Sequence, residues 1–270
     1  MQISLKWREL LPRSRKKEAQ EKEHAPDYRK YLFKGREFLL YTAEGFGITA
    51  LIAWFFYRSF WAVIPLSPLI VFFLRGMQKK LAKSRREKLA LQFRDMILSA
   101  AAGLQAGYSV ENAFLAAGED VARLYGADSI MAGETAVLRR GLGNSIPLEQ
   151  MLMDLGRRSG VPDVEDFAEV FSIAKRSGGA MNEMIKRSAA ITGDKIEISR
   201  EIRTLLASRR YEQKIMNLIP FLIVAYLQLT SGGFFDVLYG NPAGILIMTA
   251  CLAVYLAAFL LSGKIVDIEV

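Results

Sequence analysis

Apolar and polar residues are segregated along the chain on a scale far longer than one helical turn. Two stretches, 38–74 and 215–263, are nearly free of charge, whereas charged residues crowd into 1–37 and 75–214. The first apolar run, Phe38 to Tyr57, has the length of a membrane helix, about 20 residues. Arg58 interrupts it, and Phe60 to Leu74 follows as a shorter run that reaches spanning length with Ser59 and a snorkelling Arg75. Pro65 and Pro68 predict a kink in this second span. The pair reads as a hairpin turning at Arg58-Ser59. A third run covers Ile215 to Ser231 and contains Pro220, and a fourth, Ala243 to Ser262, carries no charge. Trp54, Tyr57, Trp61 and Tyr239 lie near run ends, where aromatic belts form.

Between the second and third runs the hydrophobic period changes to that of amphipathic helices. Leu89, Phe93, Met96, Ala100 and Leu104 share one face, and Gly107 is placed to end that helix. Ser109 is a capping residue for a second helix with Val110, Phe114, Ala117, Val121 and Leu124. A third starts at Asp128 and ends near Gly141-Leu142-Gly143. Pro147 occupies the first turn of a fourth, with Leu148, Met151, Leu152 and Leu155 inward. A fifth runs from about Asp163 to Ser177 with Phe167, Val170, Phe171 and Ala174, and Gly178-Gly179 breaks it. A long sixth carries Met184, Ile191, Ile198, Ile202 and Leu205 toward the third apolar run. The second and third runs are expected to be continuous with the first and last of these helices. The fold class is therefore all-α: four transmembrane helices, two before and two after, flanking a cytoplasmic six-helix bundle. The parts are a basic N-terminal segment 1–37, a hairpin 38–74, a helical domain 75–214, a second hairpin 215–263 and a tail 264–270.

Charge sets the orientation. Of the 36 basic residues, 11 lie in 1–37, 23 in 75–214, and only Arg58 separates the first two runs. Cytoplasmic flanks carry the excess of Lys and Arg, so both termini and the middle domain are placed on the cytoplasmic side of a bacterial inner membrane. The cluster from Arg75 to Lys88 has two readings, a nucleic-acid grip or an anchor on anionic lipid. Its place beside a membrane exit favours lipid, and no nucleic-acid partner is expected.

Candidate chemistry is sparse. The single histidine, His24, sits in a polar stretch, and the single cysteine, Cys251, lies inside an apolar run. One chain therefore offers neither a disulfide framework nor a thiolate metal cluster. No phosphate loop, H-E-x-x-H or G-x-S-x-G motif occurs. The residues point to a scaffold, not an enzyme, with no catalytic residue, cofactor or metal assigned. Asp163, Glu165, Asp166 and Glu169 fit either a divalent cation or simple complementation of a helix dipole, and the second reading is preferred. The pairs Arg139-Arg140, Arg157-Arg158, Lys175-Arg176 and Arg209-Arg210 are read as solvated helix ends, with an acidic docking partner as the alternative. Glu44 is the one acid inside a span, either functional or reaching the headgroups.

Leu104, Gly107, Ser109 and Ala113 together resemble the L-x-A-G-x-S-x-x-x-A signature of the type II secretion system F family. Glu134, then Gly143, Leu148 and Leu152, resemble its next block, and Asp166-Phe167 and Gly178-Gly179 with Glu183 resemble the two that follow. The match covers about 90–260. Met181 departs from the usual Leu after the double glycine, and Ile146-Pro147-Leu148 departs from the usual acidic-Leu spacing. One copy of the domain behind two spans is similar to the Tad-type (Flp pilus) members. The resemblance implies an inner-membrane platform that contacts a cytoplasmic hexameric secretion ATPase, a paralogous platform protein and pilin subunits, as a homo- or hetero-oligomer. The alternative reading is a transporter or channel subunit.

Overall fold

The computed structural model describes residues 26–29, 31–33, 35–177, 181–230, 233 and 241–266. Every regular element among them is helical: α1 Gly35–Tyr57, α2 Val63–Gln105, α3 Val110–Tyr125, α4 Ile130–Gly143, α5 Leu148–Ser159, α6 Pro162–Ser177, α7 Met181–Thr230 and α8 Pro242–Val266. A short 3-10 turn, Phe60–Ala62, precedes α2. The described residues divide into two compact units, one within 1–31 and 81–194 and the other within 32–80 and 195–270. The helices α2 and α7, 43 and 50 residues long, each supply residues to both.

In the first unit the second half of α2 forms the spine of the core. Leu89, Phe93, Met96, Ala100 and Leu104 are all buried, as their spacing predicts. Phe93 meets Phe167 edge-on at 5.4 Å, and Phe114 meets Phe171 edge-on at 5.6 Å, so α2, α3 and α6 share one aromatic cluster. Leu148, Leu152 and Leu155 close the core from α5. Local signals set the helix ends. Ser109 Oγ accepts the Asn112 N–H and opens α3, and Gly107 turns the chain with φ +90°. The third domain helix begins at Ile130 instead of Asp128, because Ser129 Oγ takes the Ala132 N–H. Pro147 stands just outside α5 in an extended conformation, its carbonyl accepting the Gln150 and Met151 N–H groups.

Five residues expected on apolar faces are solvent-facing. Leu124 and Val170 are exposed, since the next inward position on their helices, Val121 and Phe171, already fills the core. On α7, Ile185 and Ala189 are the buried residues, while Ile191, Ile198 and Leu205 are exposed. The double glycine Gly178-Gly179 and the side chain of Met184 lie outside the described residues.

In the second unit, α1 ends at Tyr57 and Ser59 caps the 3-10 turn, so the chain reverses at Arg58-Ser59 as read from the sequence. Gly45, Thr49, Ile52 and Ala53 form the buried face of α1. Phe73 and Ile70 of α2 pack over Gly45, and Tyr57 Oη lies 2.9 Å from Thr249 Oγ1 of α8. Phe221 of α7 stands edge-on to Phe55 and Tyr255, at 5.9 and 5.3 Å. Three helices, Gly35–Tyr57, Phe60–Gln105 and Pro242–Ile265, are long and apolar enough to cross a membrane. Large apolar residues cover their outer faces, including Leu39, Phe46, Phe72, Ile64, Leu246 and Leu261. Water would not tolerate such a surface, and hydrocarbon would.

Candidate functional site

The most elaborate polar arrangement among the described residues is inside the first unit, where three segments meet around one carboxylate. Glu134 lies on the inner face of α4, one turn before Leu138, and is 2% exposed. Arg158 reaches it from the last turn of α5 with both terminal nitrogens: Nη1 donates to Oε1 at 3.0 Å and Nη2 to Oε2 at 2.9 Å. Arg158 Nε donates to Asp154, one turn back on α5, at 2.6 Å. The fork geometry of guanidinium and carboxylate makes this the strongest kind of ion pair available to side chains.

The third member comes from the segment that precedes α1. Tyr28 is buried, and its phenol donates to Glu134 Oε1 at 2.7 Å. The Tyr28 N–H donates to the Arg158 carbonyl at 3.0 Å, and Arg158 Nη1 also donates to the Pro26 carbonyl at 3.1 Å. Arg85 of α2 lies over the Tyr28 ring, 4.6 Å from its centre. Burial, and then the charge of Glu134, push the Tyr28 phenol well above its ordinary value. Burial works against the Arg158 cation, but the hydrogen bonds and charges of Glu134 and Asp154 overcome it and hold the guanidinium above its ordinary value. Both oxygens of Glu134 are engaged, so the cluster is built to clip α4, α5 and the short stretch Pro26–Tyr28 together.

Smaller clasps repeat the theme. Lys175 of α6 donates to Glu149 at 2.7 Å and lies 3.5 Å from Glu111, joining α3, α5 and α6; the Glu149 bond raises its pKa. Tyr125 donates to Asp95 at 2.5 Å, and burial together with that bond pushes its phenol up to about 12. Gln92 of α2 accepts the Met131 N–H at 3.0 Å and so satisfies a free donor at the start of α4.

The residues singled out from the sequence fall into three groups. Leu104, Ala113, Leu148, Leu152 and Phe167 belong to one continuous core. Leu104, Gly107, Ser109 and Ala113 make a single helix–turn–helix corner, in which Ala113 packs where a Cβ on Gly103 would come within 3.3 Å. Glu134 is the centre of the polar cluster. Gly143, Asp166 and Glu183 are exposed, and Gly178-Gly179 lies outside the described residues. Among the described residues no three acids, histidines or cysteines are grouped to hold a metal ion, Asp163 to Glu169 included. Glu44 is exposed on α1.

Sequence reasoning missed Arg158, treated there as a solvated helix end, and missed Tyr28 and Arg85. The only local signal was Asp154 four residues before Arg158, a helical ion-pair spacing. Nothing in the sequence pairs Tyr28 with Glu134, 106 positions away. Compared with family models, curated proteins and solved structures, the chain finds no match.

Proposed function

We propose that the chain is a platform subunit of an inner-membrane pilus or secretion assembly machine, a single-copy F-type protein of the Tad kind. One observation carries the reading: α2 and α7 each join an apolar run to the helical domain without a break. A force applied to the bundle by a cytoplasmic ATPase would pass along these helices to the membrane, where pilins leave the bilayer. The clip at Glu134 supports the same role, because it stiffens the bundle and ties the N-terminal segment to it.

The reading includes a fourth span, formed by the Ile215–Ser231 run. Support comes from Phe221, which packs between Phe55 of α1 and Tyr255 of α8, beside helices that are themselves long and apolar enough to span. Four spans put both termini in the cytoplasm, and the excess of basic residues in 1–37 and 75–214 agrees with that.

Co-purification tests the platform role. The tagged full-length protein, lightly crosslinked in native membranes and solubilised in mild detergent, is expected to bring down a secretion-type ATPase and a second membrane protein of similar architecture. Recovery alone, or with a soluble ligand-binding subunit, would replace the platform reading with transport.

A further inference from the structure

Glu44 stands on a face of α1 that the other described residues leave open. Leu40, Ala43, Glu44, Gly47, Ile48 and Leu51 recur at three- and four-residue steps and are all exposed. The opposite face, Gly45, Thr49, Ile52 and Ala53, carries the contacts within the unit. Leu40 and Leu51 are 60% and 50% exposed, so the carboxylate is bordered by side chains suited to lipid. Among the described residues nothing lies within 4 Å of where a Gly47 Cβ would be, which leaves room for another helix to approach closely beside the acid.

A carboxylate there is costly without a counterpart. Glu44 lies six residues inside the apolar run, roughly 9 Å along the axis. Its short side chain does not cover that distance, unlike the long stems of Lys or Arg. Among the described residues it has no hydrogen-bond or ion-pair partner. A second copy of the chain supplies none at this depth, because the runs Phe38–Tyr57, Phe60–Leu74, Ile215–Ser231 and Ala243–Ser262 contain no Lys, Arg or His.

We propose that this face of α1 docks a transmembrane helix of a different polypeptide that carries a cation (a Lys or Arg side chain or a free amine) at the depth of Glu44. Charge complementarity selects the partner, and Ala43 and Gly47 let its backbone come near. The inference rests on α1 crossing the membrane and not on the platform role, so the two fail separately.

The test uses the full-length protein in lipid nanodiscs and a synthetic Leu/Ala transmembrane peptide with one Lys six residues from an end of its apolar stretch. An identical peptide with Leu at that position is the control. Energy transfer between labels should report about tenfold tighter association of the Lys peptide. Glu44→Gln should bring the two peptides within about twofold of each other, and Glu44→Lys should transfer the preference to a Glu-bearing peptide. Equal association of both peptides with the wild-type protein, or a preference that survives Glu44→Gln, overturns the proposal. So does efficient disulfide dimerisation through Ile48→Cys in a Cys251→Ser background in native membranes, since the face would then meet a second copy.

Discussion

At the scale of single residues, the Glu134–Arg158 pair sets the sharpest expectations. Removing one partner leaves an uncompensated charge in the protein interior, so Glu134→Leu or Arg158→Met alone should destabilise the bundle by about 3–5 kcal/mol. The double variant, with both charges gone and similar volume kept, should cost much less. Denaturant unfolding of the four species gives the coupling, and additive single effects would show that the pair does not act as a unit. Tyr28→Phe should cost about 1–2 kcal/mol, because the Glu134 oxygen loses its phenol donor. It should also raise the cleavage rate of the N-terminal segment by protease. Tyr125 predicts a pH effect. Its phenol titrates near 10 when unfolded and about 12 when folded, so above pH 10 the unfolded chain has released a proton that the folded chain retains. Stability should fall as pH rises from 10 to 12, and Tyr125→Phe should flatten that fall.

At the scale of elements, close approach matters more than helix propensity. A Cβ on Gly118 of α3 would collide with Thr135 of α4, whose hydroxyl is fixed to the Met131 carbonyl at 2.7 Å. Gly118→Ala would improve propensity in an isolated helix, yet in the folded domain it should cost about 1–3 kcal/mol by forcing α3 and α4 apart. A raised melting temperature for this variant would contradict the packing. Much at this scale was legible beforehand. The inward positions of α2 and α5 followed from their spacing, and Ser109 and Gly107 followed from capping chemistry. Leu124, Val170, Ile191, Ile198 and Leu205 did not, because a periodic pattern places residues on a stripe without saying how wide the contact with neighbouring helices is. Arg158 was misread for a related reason: a basic residue at a helix end looks the same in sequence whether it meets water or a buried acid.

At the scale of the whole molecule, topology is the decisive quantity. Three spanning helices would put the C-terminus outside, whereas a fourth through Ile215–Ser231 returns it to the cytoplasm. Single cysteines at Ser59, Ser109 and Ser262, each in a Cys251→Ser background, separate the two. With an impermeant thiol reagent on intact cells, Ser59→Cys should label strongly and the other two weakly. Strong labelling at Ser262→Cys would reduce the spans to three. The charge asymmetry that predicts this outcome acts during insertion and needs no tertiary contact.

The sequence by itself determined the helical class, the apolar runs, the Gly107-Ser109 corner and most of the core, because each depends on neighbours within a few positions: periodicity, capping and hydropathy are local. Only the tertiary structure decided that Glu134 is clipped by Arg158 and Tyr28, that α7 buries Ile185 and Ala189 but not Ile191, and that Glu44 shares an open face with Gly47. Those outcomes depend on which helix faces which. That is settled by how side chains from distant parts of the chain fill a common space, and it leaves no periodic trace along the chain.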